Sequence, residues 1–183
     1  MRIIAGTDRG RKLFAPEGVE TRPTADRVRE SLYNILGAKV TDAMVLDLFA
    51  GSGALALEAL SRGAAFAALA DNDPKAVRVI ERNIQLMRAE DKTRLIRADW
   101  QDALRRLQGQ RFSLVFLDPP YRMLDVYGLA AEQMRKMDLL AEGAVLVMEH
   151  AAKSPLTLPD GFEITDERRY GDTAVALVRE KTP

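Results

Sequence analysis

The sequence contains no cysteine and only one histidine, His150, and both shortages restrict the chemistry that it supports. Without cysteine the chain has no disulfide, no thiolate nucleophile and no cysteine-ligated metal site. A single histidine excludes a centre built from several histidines of this chain. We therefore expect an activity that needs no metal ion, and we interpret His150 as a structural residue.

Long apolar runs and an excess of charge of one sign are also missing. No window approaches the roughly 18 uninterrupted apolar residues that a membrane span needs, and the basic start lacks the apolar core of a signal peptide. The 27 basic and 27 acidic side chains cancel, so any nucleic acid must be bound by a local basic patch. We expect a cytoplasmic protein without a membrane partner.

What the chain does have is enough apolar sequence for one sizeable core. Hydrophobic residues make up 47% of the 183 residues, which is typical of a globular domain. We expect a monomer in which residues 1–40 form an appendage and residues 41–183 form the main domain. No linker, repeat or low-complexity tract separates the two.

Strand and helix patterns alternate through the main domain, which indicates an α/β fold with a mostly parallel, doubly wound sheet. At the C-terminal end two strand patterns, 162–168 and 173–179, meet across Tyr170-Gly171-Asp172 without a helix between them. They predict an antiparallel hairpin at the edge of the sheet. The predicted core strands are 44–49, 66–70, 95–98, 112–117 and 144–148.

The appendage has a pattern of its own. Residues 2–14 predict a short hairpin, and a helix is expected from about Ala25 to Leu36. Thr24 is placed to cap this helix at its N-terminus, and Gly37 is placed to end it.

A glycine turn follows the first core strand and leads directly into an apolar helix. Gly51 and Gly53 allow the tight bend, and the backbone N–H groups at such a turn are the usual site of nucleotide-type cofactors. The turn has only part of a dinucleotide fingerprint, so by itself it also fits a purely structural bend.

Acidic residues follow the next two strands, at the sheet edge where the glycine turn lies. Asp71 comes 20 positions after Gly51, the offset at which a carboxylate accepts hydrogen bonds from ribose hydroxyls. Capping the next helix is the alternative role, for which Asp73 is better placed. Asp99 and Trp100 fit an adenine pocket, or equally a helix cap and an aromatic residue at the edge of the core.

The motif Asp118-Pro-Pro-Tyr121 follows the fourth core strand and is the most specific signal in the chain. Two prolines stiffen the loop, so the aspartate and a backbone carbonyl become fixed acceptors for an amino group. Tyr121 offers a flat face on which a base can stack. The alternative is a rigid turn with a packing tyrosine.

Arginines concentrate ahead of the glycine turn. A solvent-exposed charged face and an arm that contacts RNA phosphates both fit their pattern. The candidates for RNA contact are Arg9, Arg11, Arg22, Arg27 and Arg29.

Together these motifs resemble the RsmD family of 16S ribosomal RNA guanine-N2 methyltransferases. The resemblance rests on the N-terminal segment from Arg2 to Leu36, on the turn after Asp47 and on Asp118-Pro-Pro-Tyr121. It implies a Rossmann-like methyltransferase fold with a seven-stranded sheet, S-adenosyl-L-methionine as the methyl donor and 16S ribosomal RNA as the partner. At the end of strand two the family often has glutamate, whereas this chain has the shorter Asp71.

The resemblance also implies roles for individual residues. Asp118 and the Pro119 carbonyl, on a loop stiffened by Pro120, would orient the N2 amine of a guanine, and Tyr121 would stack on the base. The implied cofactor-binding residues are Asp47, Phe49, Gly51, Gly53, Asp71, Asn72, Asp99 and Trp100. Two alternatives remain open: a methyltransferase for amino groups of other nucleic acids or proteins, and a non-catalytic RNA-binding assembly factor.

Overall fold

The computed structural model describes residues 1–18, 23–120 and 122–182, which form an α/β fold. Seven strands and five α-helices occupy the described ranges. The strands are β1 (Met44–Asp47), β2 (Phe66–Asp71), β3 (Thr93–Arg97), β4 (Phe112–Leu117), β5 (Leu140–Ala151), β6 (Phe162–Tyr170) and β7 (Thr173–Glu180). The helices are α1 (Pro23–Leu36), α2 (Ala54–Ser61), α3 (Pro74–Met87), α4 (Trp100–Arg106) and α5 (Val126–Lys136).

All seven strands join one sheet in the order β3-β2-β1-β4-β5-β7-β6. The first five positions are parallel, whereas β7 runs antiparallel to β5 and β6 antiparallel to β7. The mostly parallel sheet and its C-terminal hairpin are therefore confirmed. The strand order reverses between β1 and β4, and ligands of open α/β sheets bind outside the carboxyl ends of the strands at such a point.

The core lies on both faces of the sheet because its central strands are apolar on both sides. On β1, Val45 packs into one cluster with Leu57 of α2, and Leu46 packs into the other with Leu104 of α4. Burying one such side chain contributes about 1.5–3 kcal/mol, so these clusters hold the carboxyl ends of β1 and β4 side by side.

The N-terminal hairpin forms only in part. A single antiparallel bridge joins Arg2 to Lys12, and Ile3 both donates to the Arg11 carbonyl at 2.9 Å and accepts from Gly10 at 2.8 Å. The next two backbone N–H groups donate instead to the carboxylate of Glu58 in α2. The ladder stops there because its donors have a stronger, charged acceptor.

Several element boundaries differ from the sequence predictions. Helix α1 begins at Pro23, so Thr24 lies inside the helix and its prediction as the N-cap is wrong; proline is well suited to a first helical position. Helix α1 ends before Gly37, as predicted. Strand β5 extends well beyond the predicted 144–148, because pairing with β4 and then β7 continues its ladder in both directions.

Two kinds of feature are absent from the described ranges. None of the helices there is long and apolar enough to cross a membrane. In the same ranges no group of three or more acidic or histidine side chains is arranged to hold a metal ion.

Candidate active site

The glycine turn has the backbone conformation that its sequence predicts. Gly51 and Gly53 have φ values of 58° and 79°, where a side chain is unfavourable. A Cβ atom added to Gly53 would also lie 3.1 Å from a methyl carbon of Leu69. The turn closes with a 2.7 Å hydrogen bond from Gly53 to the Ala50 carbonyl and leads into α2.

Asp71 at the end of β2 holds this turn in place. One carboxylate oxygen accepts from the Gly51 N–H at 2.9 Å, and the other accepts from the Asp73 N–H at 2.9 Å. Asp73 caps α3 by accepting from the Lys75 N–H, so the capping role belongs to Asp73. Each oxygen of Asp71 keeps a lone pair for a further donor, and its contact to a ribose stays a prediction.

Asp47, the last residue of β1, is an acidic group without a partner. The residue is 1% exposed, and neither carboxylate oxygen has a hydrogen-bond partner among the described residues. Burial raises the pKa of Asp47 to about 7, and the negative charge of Asp71 adds to that rise. The backbone N–H groups of Ala56 and Phe49 lie near enough to counteract it, although neither makes a hydrogen bond of normal geometry. A buried carboxylate in this state favours a cation nearby.

Two adjoining cavities open at the carboxyl ends of the central strands, and four residues line both. The larger has a volume of about 720 Å³ and the smaller about 260 Å³, which is sufficient for a nucleoside-sized ligand and a second group. The shared lining residues are Phe49, Asp71, Asn72 and Pro120. The larger cavity is also lined by Gly51, Asp118, Pro119 and Glu149.

Asp99 and Trp100 lie in the wall of the smaller cavity, as the adenine-pocket interpretation requires. Asp99 also caps α4, accepting from the Asp102 N–H at 2.8 Å. Trp100 packs against the core cluster beneath the cavity. Asp99 is therefore a helix cap and Trp100 an aromatic residue at the edge of the core, as the alternative interpretation predicted. Contact with an adenine stays a prediction for both residues.

The Asp118-Pro-Pro loop forms the opposite wall of the larger cavity. The Pro120 carbonyl accepts from the Met123 N–H at 2.9 Å, which closes a turn just beyond the prolines. Burial raises the pKa of Asp118 well above its usual range, and the negative charges of Glu149 and Asp47 raise it further. Tyr121, predicted to stack on the base, lies outside the described residues.

Glu149 is a cavity residue that the sequence analysis missed. It belongs to β5, where Met148 pairs with Leu117 of β4, so Glu149 and Asp118 follow neighbouring positions of adjacent parallel strands. Burial raises the pKa of the Glu149 carboxyl, and the nearby His150 lowers it. The available signal was an acidic residue directly after the apolar run 144–148, at the strand end next to the Asp118 loop.

The predicted RNA-binding arginines do not share one environment. Arg9 and Arg27 are exposed and line a separate cavity of about 450 Å³ between α1 and the N-terminal arm, which is the partly formed hairpin of residues 1–14. Arg11 is exposed, but its guanidinium contacts Asp8 at 3.0 Å and donates to the Leu86 carbonyl at 2.6 Å. Arg22 lies outside the described residues.

Arg29 does not join that exposed surface. It is only 5% exposed, donates to the Arg2 carbonyl, and contacts Asp26 at 3.1 Å and Glu58 at 3.7 Å. The helical spacing placed Arg29 away from the apolar face, but the arm covers it. Its role is to hold the arm on the main domain, so a direct RNA contact by Arg29 does not fit the structure.

Asn83 in α3 connects the arm to the glycine turn. Its amide nitrogen donates to the Phe14 carbonyl at 3.0 Å and to the Ser52 carbonyl at 2.9 Å, and its oxygen accepts from the Phe14 N–H at 2.8 Å. At the other end of the arm, a Cβ atom on Gly6 would lie 1.8 Å from the Ser61 carbonyl oxygen. These contacts place the exposed arginines at a defined position relative to the cavities.

Comparisons with known proteins agree with this geometry. The family model described as "Conserved hypothetical protein 95" matches residues 1–179. The chain is 37% identical to ribosomal RNA small subunit methyltransferase D of Escherichia coli K12 over 99% of this chain and 90% of that protein. The protein of the same name from Haemophilus influenzae is 34% identical, covering 97% of this chain and 92% of that protein.

A solved structure gives the same result for the fold. The Escherichia coli protein yhhF superposes with a TM-score of 0.88 at 34% identity, covering 99% of this chain and 98% of that chain. The Rossmann-like fold of this chain is thus shared with a solved structure over nearly the whole length of both chains.

Proposed function

The chain belongs to the RsmD family of ribosomal RNA small-subunit methyltransferases, and from this premise we propose that it methylates the exocyclic N2 of a guanine in 16S ribosomal RNA. The methyl donor is S-adenosyl-L-methionine. One observation carries the proposal: the glycine turn and the Asp118-Pro-Pro loop line the same cavity. This shared cavity supports a methyl-transfer site in which one part holds the donor and the other holds an amine.

The donor is held by the wall that contains the glycine turn. Asp71 accepts from the ribose hydroxyls, and Asp99 and Trp100 enclose the adenine in the smaller cavity. Asp47 lies buried beneath Asp71 and Asp118, where its charge favours a cationic ligand. S-adenosyl-L-methionine has both a sulfonium and an ammonium group, and its sulfonium supplies an electrophilic methyl group.

The amine is held by the opposite wall. Asp118 and the Pro119 carbonyl accept the two N2 hydrogens and aim the nitrogen lone pair at the methyl carbon. The carbon–sulfur bond breaks as the nitrogen–carbon bond forms, and Asp118 accepts the proton that N2 then releases.

The base must leave its stack to reach the cavity. Flipping a nucleotide out of a helix costs a few kcal/mol, and stacking on Tyr121 would offset part of this cost. The exposed Arg9, Arg11 and Arg27 contact RNA phosphates, and Arg22, outside the described residues, stays a candidate for the same role. Arg29 contributes by fixing the arm.

The test is radiolabelled methyl transfer into small-subunit particles that lack the modification, followed by digestion to nucleosides. The expected product is N2-methylguanosine. A different methylated base, methylated protein or no transfer would contradict the proposal and support one of the two alternatives.

Asp118→Ala tests the assignment of the amine site. Transfer should fall by about 100- to 1000-fold, as when a group that stabilises a transition state is removed. Binding of S-adenosyl-L-methionine, measured by calorimetry, should persist. Asp91→Ala, at an exposed aspartate outside both cavities, is the matched control. Near-normal turnover in Asp118→Ala would contradict the proposed role.

Phosphate contacts predict a dependence on salt. Replacing Arg9 and Arg27 together by alanine should weaken binding of the particle and make that binding less sensitive to salt. Unchanged affinity, or wild-type affinity that does not vary with salt, would contradict the RNA-binding role of this surface.

A further inference from the structure

We propose that Glu149 reads the target base: its carboxylate accepts the hydrogen bond of guanine N1–H while Asp118 orients N2. This inference rests on the proposed function and gives it a source of base specificity. The observation behind it is that two carboxyl groups from adjacent strands line the cavity beside the prolines.

The sheet places the two carboxyl groups side by side. Leu117 of β4 pairs with Met148 of β5 in parallel register, and both side chains are buried in the same core cluster. Asp118 is the first residue after β4, and Glu149 is the next residue within β5. Side chains alternate along an extended chain, so each turns away from the cluster that buries its predecessor. Both reach the larger cavity, where neither is fully buried.

Glu149 is fixed by contacts that leave its carboxylate available. The Tyr127 hydroxyl donates to the Glu149 backbone carbonyl at 2.5 Å, which anchors the end of β5 to α5. The neighbouring imidazole of His150 has its partners elsewhere, at Ser154 and at Glu167 3.1 Å away.

Two acceptors match the donor pattern of guanine. Its Watson–Crick edge presents N1–H next to the N2 amino group, so an acceptor for each satisfies adjacent donors. Adenine has an acceptor at N1 and would face the Glu149 carboxylate with a repulsive lone pair. Asp118 by itself selects for an amino group, whatever base carries it. Glu149 adds selection for guanine, because a base without N1–H would leave the Glu149 carboxylate unpaired in the cavity, which is costly.

A base analogue tests this contact directly. Small-subunit particles are reconstituted with 16S ribosomal RNA carrying either guanine or 2-aminopurine at the methylated position. The analogue keeps the 2-amino group, but its N1 is an acceptor. Wild-type enzyme should prefer guanine over 2-aminopurine in kcat/KM by about 10- to 100-fold, the range expected for a hydrogen bond to a charged group.

The Glu149→Gln variant should reverse part of this preference. Its amide can donate to N1 of 2-aminopurine, so transfer to guanine should fall while transfer to 2-aminopurine rises above the wild-type rate. Glu149→Ala should lose transfer to guanine without gaining transfer to 2-aminopurine. Glu142→Gln, at an exposed position of the same strand, should leave both rates unchanged.

The outcomes separate this inference from the function on which it rests. Wild-type enzyme that fails to methylate guanine overturns both. Wild-type activity on guanine with the same base preference in Glu149→Gln overturns the role of Glu149 alone. A weakened affinity of Glu149→Gln for S-adenosyl-L-methionine that accounts for the whole loss of activity would also overturn it, because the carboxylate would then serve the donor.

Discussion

The acidic side chains that line the two adjoining cavities differ in how the protein holds them. On the glycine-turn side, the carboxylates of Asp71 and Asp99 each accept from backbone N–H groups of the protein. On the opposite side, the pKa values of Asp118 and Glu149 are shifted by burial and by neighbouring charges, with no hydrogen bond among the causes. The protein's own N–H groups hold the first pair of carboxylates, whereas the second pair is the one that the proposed function assigns to the target base.

The arginines of the N-terminal arm and of α1 show the same contrast. Arg29 is buried and engaged with protein acceptors, whereas Arg9 and Arg27 are exposed beside a cavity. In both cases the neighbours, and not the residue type, distinguish a residue that holds the protein together from one that is available to a ligand.

Asp47 is an exception to this contrast between held and available carboxylates. It lies just before the glycine turn, on the side of the carboxylates that accept backbone hydrogen bonds, but its own oxygens have no hydrogen-bond partner among the described residues. Its pKa is raised from 3.8 to about 7, so the folded protein holds this proton more tightly than the unfolded chain does. The stability of the ligand-free protein should therefore fall as pH rises from about 4 to about 7. The penalty reaches about 4 kcal/mol, since one pKa unit corresponds to about 1.4 kcal/mol.

Urea unfolding at pH 5 and pH 8 measures this effect. Asp47→Asn should be more stable than the wild type at pH 8 and should have a shallower pH dependence. Asp118 and Glu149, whose pKa values are also raised, would supply the remaining slope. Equal slopes in the variant and the wild type would show that Asp47 does not carry this penalty.

Arg29 and Arg27 form a matched pair that sharpens the contrast in the arm. Arg29→Ala should lower the free energy of unfolding by about 2–3 kcal/mol, because it removes the charged donor from the Arg2 carbonyl and the Asp26 carboxylate and leaves Arg62 as the remaining cation at the buried Glu58. Arg27→Ala should change it by less than about 0.5 kcal/mol but weaken RNA binding. Thermal or urea unfolding, together with binding of the particle, checks both, and the reverse pattern would contradict the assignment.

Asp71→Asn should have the smallest of these effects and should act on the donor alone. An amide has one acceptor atom where the carboxylate has two, so the N–H groups of Gly51 and Asp73 can no longer both be satisfied. Affinity for S-adenosyl-L-methionine should fall about tenfold, with little change in turnover at saturating donor. A loss of turnover with unchanged affinity for S-adenosyl-L-methionine would contradict this role, because Asp71 would then act on the transfer step and not on donor binding.

Local patterns were sufficient for most of the fold. Alternating apolar strands and helices predicted the sheet, and Tyr170-Gly171-Asp172 predicted the turn between β6 and β7 correctly. Gly51 and Gly53 were predictable as well, because positive φ values are a local requirement. Helix ends were predicted less well. The prediction left Pro23 outside α1, because several residues could begin this helix and the surrounding structure decides which of them does.

The candidate site divides in the same manner. Asp71, Asp99 and Asp118 were recognisable because each directly follows a predicted strand, and the carboxyl ends of parallel strands share one edge of the sheet. Glu149 was missed because it lies within a longer strand than predicted, and only the pairing of β5 with β4 shows that it neighbours Asp118.

The sequence by itself determined the alternation of elements, the position of the glycine turn and the motif that indicates an amino-methyltransferase. These depend on periodicity and backbone restrictions that act within a few residues. The tertiary structure alone decided that Arg29 is covered by the arm, that Asp47 lacks a partner and that Glu149 stands beside Asp118. Burial and charge proximity depend on residues far apart in the chain, so they are defined only when the sheet has formed around the glycine turn.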